Sequence, residues 1–270
     1  WHHDLLQGSG TVFRRLALPQ RSDARGVLHR GLIRVDQPPA WPCLRDPPEE
    51  CRSPAQAKSR KGRTIASFLH QQRIEAARSV IQQRAPTTIV DLGCGDGALL
   101  RRLLAEPLVT SITGVDTCPR ALERLRNRIG TDIERPRVTL VRSCATRLKV
   151  VPSQVDCALL VEVIEHISPD RLSALERSVF SQMRARTVVV TTPNADFNAL
   201  LGVPAHRFRH RDHRFEWGRK RFRAWANGLA ARHDYRVEFS DIGGSHPIWG
   251  GPSQMAVFDA VSVHRTTRAA

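Results

Sequence analysis

Glu162, Glu165 and His166 lie within five positions of one another in the stretch Val161-Glu162-Val163-Ile164-Glu165-His166. Two carboxylates and an imidazole so close together can hold a divalent cation or move a proton. Their mixed oxygen and nitrogen donors suit Mg²⁺, Mn²⁺ or Zn²⁺. The same grouping also serves sites without metal, so a cation reading needs a ligand from elsewhere in the chain. A second group is the glycine-rich run Asp91-Leu92-Gly93-Cys94-Gly95-Asp96-Gly97. Glycines let the backbone pass close to a ligand and aim its amides there. The spacing is G-x-G-x-G with an acidic residue ahead of it, which points to S-adenosylmethionine more than to a dinucleotide. Asp116 follows about twenty residues on, where a carboxylate can accept both ribose hydroxyls of an adenosine cofactor. An N-cap role for Asp116 is the weaker reading, because Thr117 and Pro119 can start the next helix.

A third group is Arg209-His210-Arg211-Asp212-His213-Arg214-Phe215-Glu216-Trp217. A histidine here can supply the missing ligand, and Phe215 and Trp217 can pack beneath it or offer a face to a base. The competing reading is a basic surface segment that meets phosphates without specificity.

These groups need elements to position them. Residues 88–92, 111–115, 138–142, 155–161 and 187–191 have strand character. Helical patterns cover 68–84, 98–105, 121–129 and 171–183, the last opened by Ser168-Pro169-Asp170. Strands alternating with helices at this spacing predict a doubly wound parallel sheet. Glu162 then ends a strand, with Glu165 and His166 in the following turn at the carboxyl edge, where open α/β folds put their ligands. Residues 1–63 carry seven prolines and no sustained period, and read as a basic Pro/Arg-rich leader, disordered in character. Residues 64–265 make the folded domain and 266–270 a tail.

The 270 residues hold 42 Lys and Arg against 26 Asp and Glu, a formal net charge of +16. That balance predicts a polyanionic partner, nucleic acid before membrane. The segment 205–236 is a local maximum, with ten Lys and Arg against three acidic residues. No run approaches the ~18 apolar residues of a membrane span. The six cysteines include no C-x-x-C pair, so they read as reduced thiols of a cytoplasmic protein.

Leu69-x-x-Gln72-Arg73, Asp91-x-Gly93-x-Gly95, Glu162-Val163-Ile164-Glu165-His166, Thr192-Pro193-Asn194, Asp212-His213-x-Phe215-Glu216-Trp217 and Gln254-Met255-Ala256-Val257-Phe258 occur in that order. In this the chain resembles the HUA-enhancer-type 3′-terminal RNA ribose 2′-O-methyltransferases, especially their bacterial branch. The resemblance implies a Rossmann-like fold dependent on S-adenosylmethionine, with a mainly parallel seven-stranded sheet. It also implies methyl transfer to the 2′-hydroxyl of the terminal ribose of an RNA with a free 3′ end, assisted by Mg²⁺ or Mn²⁺. Carried onto matching positions, the metal ligands are Glu162, Glu165, His166 and His213, with His210 a neighbouring rival. His166 and Glu165 are the expected catalytic groups, His166 as the base. Asp91, Gly93, Gly95 and Asp116 are expected to hold the cofactor, and Arg209, Arg211 and Arg214 the RNA. Two departures stand out. Ser143-Cys144 and Lys149 replace the family's Gly-Ser and following acidic residue, and residues 1–63 do not resemble the half through which bacterial members pair with an RNA repair kinase-ligase. The alternatives are a metal-free small-molecule methyltransferase and a noncatalytic RNA-binding module of the same fold.

Overall fold

The computed structural model describes residues 34–36, 60–130, 137–148 and 155–261. Lys149, the tail 266–270 and nearly all of the expected leader fall outside the described residues. Eight strands form one sheet: β1 (Arg34–Asp36), β2 (Thr88–Leu92), β3 (Ser111–Asp116), β4 (Arg137–Arg142), β5 (Cys157–Val161), β6 (Thr187–Pro193), β7 (Tyr235–Ile242) and β8 (Ser253–Ala260). Their order is β1-β4-β3-β2-β5-β6-β8-β7. All neighbours pair in parallel except β8, which runs antiparallel to both β6 and β7. Seven of these strands make the expected sheet. The eighth, β1, comes from the segment read as a leader and adds an edge beside β4.

Among the described residues five α-helices accompany the sheet: α1 (Arg60–Arg84), α2 (Leu100–Leu103), α3 (Pro119–Ile129), α4 (Leu172–Glu176) and α5 (Arg219–His233). A π-helical stretch, Arg177–Met183, extends α4. Helix α1 begins eight residues before the expected Phe68, at Arg60. Strands covered on both faces favour continuous apolar runs, and Ile89-Val90 of β2, Cys157–Val161 of β5 and Val188-Val189-Val190 of β6 supply them. In each, alternate residues enter opposite cores: Ile89, Leu159 and Val189 join Ile74, Leu103 and Leu125 from α1, α2 and α3. Val90, Leu160, Val188 and Val190 join Leu175, Phe180, Phe222 and Leu229 from α4, its extension and α5. In α5 the buried positions Phe222, Ala226, Leu229 and Ala230 follow the helical repeat that makes one apolar stripe.

Chain order reverses between β2 and β5, which are neighbours although two strands intervene in sequence. A sheet opens a crevice at such a switch point, outside the carboxyl ends of the two strands. The glycine-rich turn follows β2 and the Glu162–His166 turn follows β5, so both predicted groups reach that crevice. Cys94, Cys144 and Cys157 are free thiols, as expected, but Cys118 is disulfide-bonded, a correction to the all-reduced reading.

Candidate active site

On the β2 side the chain leaves Leu92 through Gly93 and Gly95, whose φ values of 76° and 55° are left-handed. The N–H groups of Gly93 and Cys94 both donate to the Val115 carbonyl of β3, which pins the turn. A Cβ on Gly93 would lie 2.7 Å from Cγ2 of Val163, so the glycine turn and the Glu162–His166 turn are in contact. At Gly95, by contrast, a Cβ would meet nothing within 4 Å. There the backbone borders open space.

Asp91 is 3 % exposed, and burial, with Asp116 adding repulsion, pushes its carboxyl up to about 7. Its Oδ2 has no hydrogen-bond partner. Asp116 accepts the Gly95 N–H at Oδ2 and the Cys118 N–H at Oδ1, each at 2.8 Å. Burial raises its pKa and these backbone donors oppose the shift. The carboxylate thus braces both the glycine turn and the start of α3, whose N-cap is Cys118. The N-cap position weighed for Asp116 from sequence falls instead to Cys118, two residues on, whose N–H the Asp116 carboxylate accepts.

On the β5 side Glu162 adopts φ 57°. Left-handed backbone costs a non-glycine residue roughly 1–2 kcal/mol, and β6 offsets it: the Glu162 N–H donates to Thr191 O and Oγ1, and Thr191 Oγ1 donates back to Oε1 at 3.0 Å. Its Oε2 meets Arg73 Nη2 of α1 at 3.0 Å, and Arg73 Nε also donates to Ser253 of β8. Glu165 is fully buried. Thr192 Oγ1 donates to its Oε2 at 3.0 Å, while Oε1 has no partner. Burial, with the nearby Glu162 carboxylate adding, pushes the Glu165 pKa well above the carboxylate range. His166 is exposed at the crevice.

The third group arrives on the segment between Gly202 and Gly218. The Arg214 N–H donates to the Glu165 carbonyl at 2.7 Å, which docks this segment on the β5 turn. His213 then stands edge-on to His166, their ring centroids 4.8 Å apart. Glu216 accepts from His213 Nδ1 at 2.5 Å, from the Arg209 N–H at 2.7 Å and from Asn198 Nδ2 at 2.7 Å. Burial pushes Glu216 up, but these donors outweigh it and hold its pKa below the usual value. An ionised Glu216 keeps the proton on His213 Nδ1 and leaves Nε2 as the acceptor, the arrangement that orients metal-bound or basic histidines. Phe215 and Trp217 stack on each other at 4.3 Å and are buried, so they anchor the segment and offer no free stacking face.

Among the described residues, the three side chains whose potential ligand atoms all lie within 4.8 Å of one another are His166, His210 and His213. The structure therefore brings together two of the four predicted ligands and adds the rival His210. The glutamates stand outside that set, Glu162 engaged by Arg73 and Thr191 and Glu165 with one oxygen unmatched. Arg211 and Arg214 are exposed. Arg209, expected with them on the RNA, is turned inward: Nε donates to Asn198 Oδ1, Nη1 to Pro252 O and Nη2 to Asn194 O. Desolvation lowers its pKa to about 10. Its guanidinium is committed to holding the segment, a correction to the expected phosphate contact. Residues for which sequence reasoning assigned no role include Arg73, Thr191, Thr192, Asn198 and Glu216. All but Thr191 and Asn198 fall inside the motifs that carry the resemblance, the one sequence signal that marks them.

Residues 89–185 match the family described as methyltransferase domain. The solved methyltransferase domain of bacterial CtHen1-C is 38 % identical to this chain, with a TM-score of 0.64 over 72 % of this chain and 100 % of that one. The chain belongs to the HEN1 methyltransferase family. Curated members include the small RNA 2′-O-methyltransferase of Arabidopsis thaliana, 34 % identical over 210 residues, and that of Mus musculus, 33 % identical over 202. Each alignment covers 70 % of this chain, but only 22 % of the plant protein and 50 % of the mouse protein. The chain thus spans half or less of these curated HEN1 relatives. Its sheet and crevice are those of the Rossmann-like methyltransferase fold that the sequence motifs imply.

Proposed function

We propose that this chain transfers the methyl group of S-adenosylmethionine to the 2′-oxygen of the 3′-terminal ribose of an RNA, with a divalent cation, Mg²⁺ or Mn²⁺, at the Glu162–His213 site. The reading rests on one observation: the Arg214-to-Glu165 backbone bond that seats His213 beside His166 at the switch point. A metal-free small-molecule site has no need of that second segment.

The residues fit both absent groups. For the donor, the backbone at Gly95 borders open space and the buried Asp91 Oδ2 lacks a partner. For the cation, Glu165 Oε1 is an orphaned buried oxygen, and His166, His210 and His213 supply a cluster of imidazoles. Bound there, a divalent ion would lower the cost of deprotonating a ribose hydroxyl, and the sulfonium donor supplies the methyl group. Glu162, Glu165, His166 and His213 would hold the ion, with Glu216 fixing the His213 tautomer. Exposed His166 can accept the 2′-hydroxyl proton. Asp91, Gly93, Gly95 and Asp116 position the donor, which turns an encounter into an oriented attack. Arg211 and Arg214 face outward to meet phosphates.

The Arg73–Glu162 ion pair favours a second reading, metal-free methyl transfer, because it occupies one predicted ligand. One experiment separates the two. The protein is incubated with labelled donor, with Mn²⁺ or Mg²⁺ or a chelator, and with two RNAs differing only in a 3′-terminal phosphate. The expected result is labelling of the free 3′ end alone, abolished by chelation. Equal labelling of both RNAs rejects end recognition, and turnover in chelator rejects the cation.

A further inference from the structure

His166, His210 and His213 converge although they come from two separate segments of the chain. Their ring centroids stand 4.8 Å apart for His166 and His213, 5.6 Å for His210 and His213 and 6.0 Å for His166 and His210. One potential ligand nitrogen from each lies within 4.8 Å of the other two. Two nitrogens that share a zinc-like ion at ~2.0–2.1 Å stand roughly 3.4–4.2 Å apart, so the trio is about an ångström from closing on one. His213 has a carboxylate behind it, Glu216 at Nδ1. His210 has one as well. Its Nδ1 accepts the Asp212 N–H at 3.2 Å and stands 3.8 Å from Asp212 Oδ2. That Oδ2 atom is buried without a hydrogen-bond partner. A proton moved to His210 Nδ1 would trade the bond from the N–H for one to this carboxylate and leave Nε2 as the electron-pair donor. Carboxylates orient metal-bound histidines by this pairing.

Glu162 gives the site a use for a third imidazole. Its Oε2 is already met by Arg73 Nη2 at 3.0 Å, and a carboxylate neutralised by a guanidinium is a weaker donor to a cation. We propose that His210 is a ligand of the divalent cation, completing a three-imidazole set with His166 and His213. The assignment rests on the cation of the proposed function, and it departs from the two glutamates and two histidines that the resemblance implies. Imidazole suits Co²⁺, Ni²⁺ and Zn²⁺, whereas Mg²⁺ favours oxygen ligands. A third nitrogen therefore strengthens the binding of the first three ions and leaves that of Mg²⁺ little changed.

The test uses the full chain and the variant His210→Ala, with thermal unfolding in chelator to check the fold. Co²⁺ and Mg²⁺ are titrated by calorimetry, and the nitrogen hyperfine lines of bound Cu²⁺ count the imidazoles, so neither readout depends on methyl transfer. Loss of even the partner behind a metal-bound histidine costs typically ~10–100-fold in affinity. We expect His210→Ala to lose at least about tenfold in Co²⁺ affinity and to keep Mg²⁺ affinity within about threefold. The Cu²⁺ count should fall from three nitrogens in the wild type to two in the variant. Unchanged Co²⁺ affinity overturns the assignment and leaves the proposed function with its four ligands. A loss of Co²⁺ affinity with three nitrogens still counted overturns it too. Should His210→Ala not fold, the wild-type count decides, and fewer than three nitrogens overturn the assignment. Binding through three imidazoles in a protein that methylates no RNA would keep His210 as a ligand and remove the proposed function.

Discussion

Glu162 combines a left-handed backbone, a shared hydroxyl and an arginine partner, and together they fix its carboxylate at the end of β5. Strain of this kind persists only where the surroundings over-determine it; here β6 and α1 do so. His213 is held as firmly, through Glu216. His213→Ala is therefore expected to abolish cation-dependent turnover while donor affinity, measured by calorimetry, stays within about twofold; retained turnover would remove it from the ligand set. Asp91 gives a pH prediction. Its folded pKa of about 7 lies above the value near 3.8 of a free carboxyl. A raised folded pKa means that its stability contribution is complete below about pH 4 and is lost as pH rises through 7. Relative to Asp91→Asn, the wild-type chain should lose on the order of 3–4 kcal/mol between pH 4 and 8 in urea unfolding. Parallel pH profiles for the two proteins would contradict this.

The segment between Gly202 and Gly218 has little regular structure, and tertiary bonds place it. Arg209 ties it to Asn194 and Pro252, the strand ends beneath it, and Glu216 ties Arg209, Asn198 and His213 together. Arg209→Ala is expected to destabilise by roughly 2–3 kcal/mol, because a charged donor is removed from buried acceptors. Its effect on the salt slope of RNA binding should be negligible, and a fall in slope without loss of stability would return Arg209 to the RNA. Phe180, 2 % exposed at the π-helical stretch, packs against Tyr235 and Phe258 with centroids at 5.5 and 5.0 Å. Phe180→Ala should cost about 3–5 kcal/mol in denaturant unfolding. A much smaller loss would mean that the helix collapses onto the sheet.

For the whole molecule, charge and topology divide the labour. The sheet brings the glycine-rich turn and the Glu162–His166 turn to one switch point, and the excess of arginine is the charge that the proposed polyanionic substrate requires. Arg211→Gln, at an exposed position, should lower the salt slope of RNA binding by about 0.7 and leave the melting temperature unchanged. An unchanged slope would place the RNA elsewhere. No helix among the described residues is long and apolar enough to cross a membrane.

Much of this was legible in the chain itself. The strand and helix periods fixed the doubly wound sheet because burial on both faces demands apolar residues in β2, β5 and β6. The glycines and Glu162–His166 were visible because their types and spacing are local. The meeting of His213 with His166 followed from family resemblance alone, since no local pattern links residues 47 positions apart. Only the tertiary structure decided that His210 joins that pair, that Arg209 faces inward and that Glu216 orients His213. Side-chain direction on an irregular segment is set by the groups against which it docks, and an amino-acid pattern carries no record of that direction.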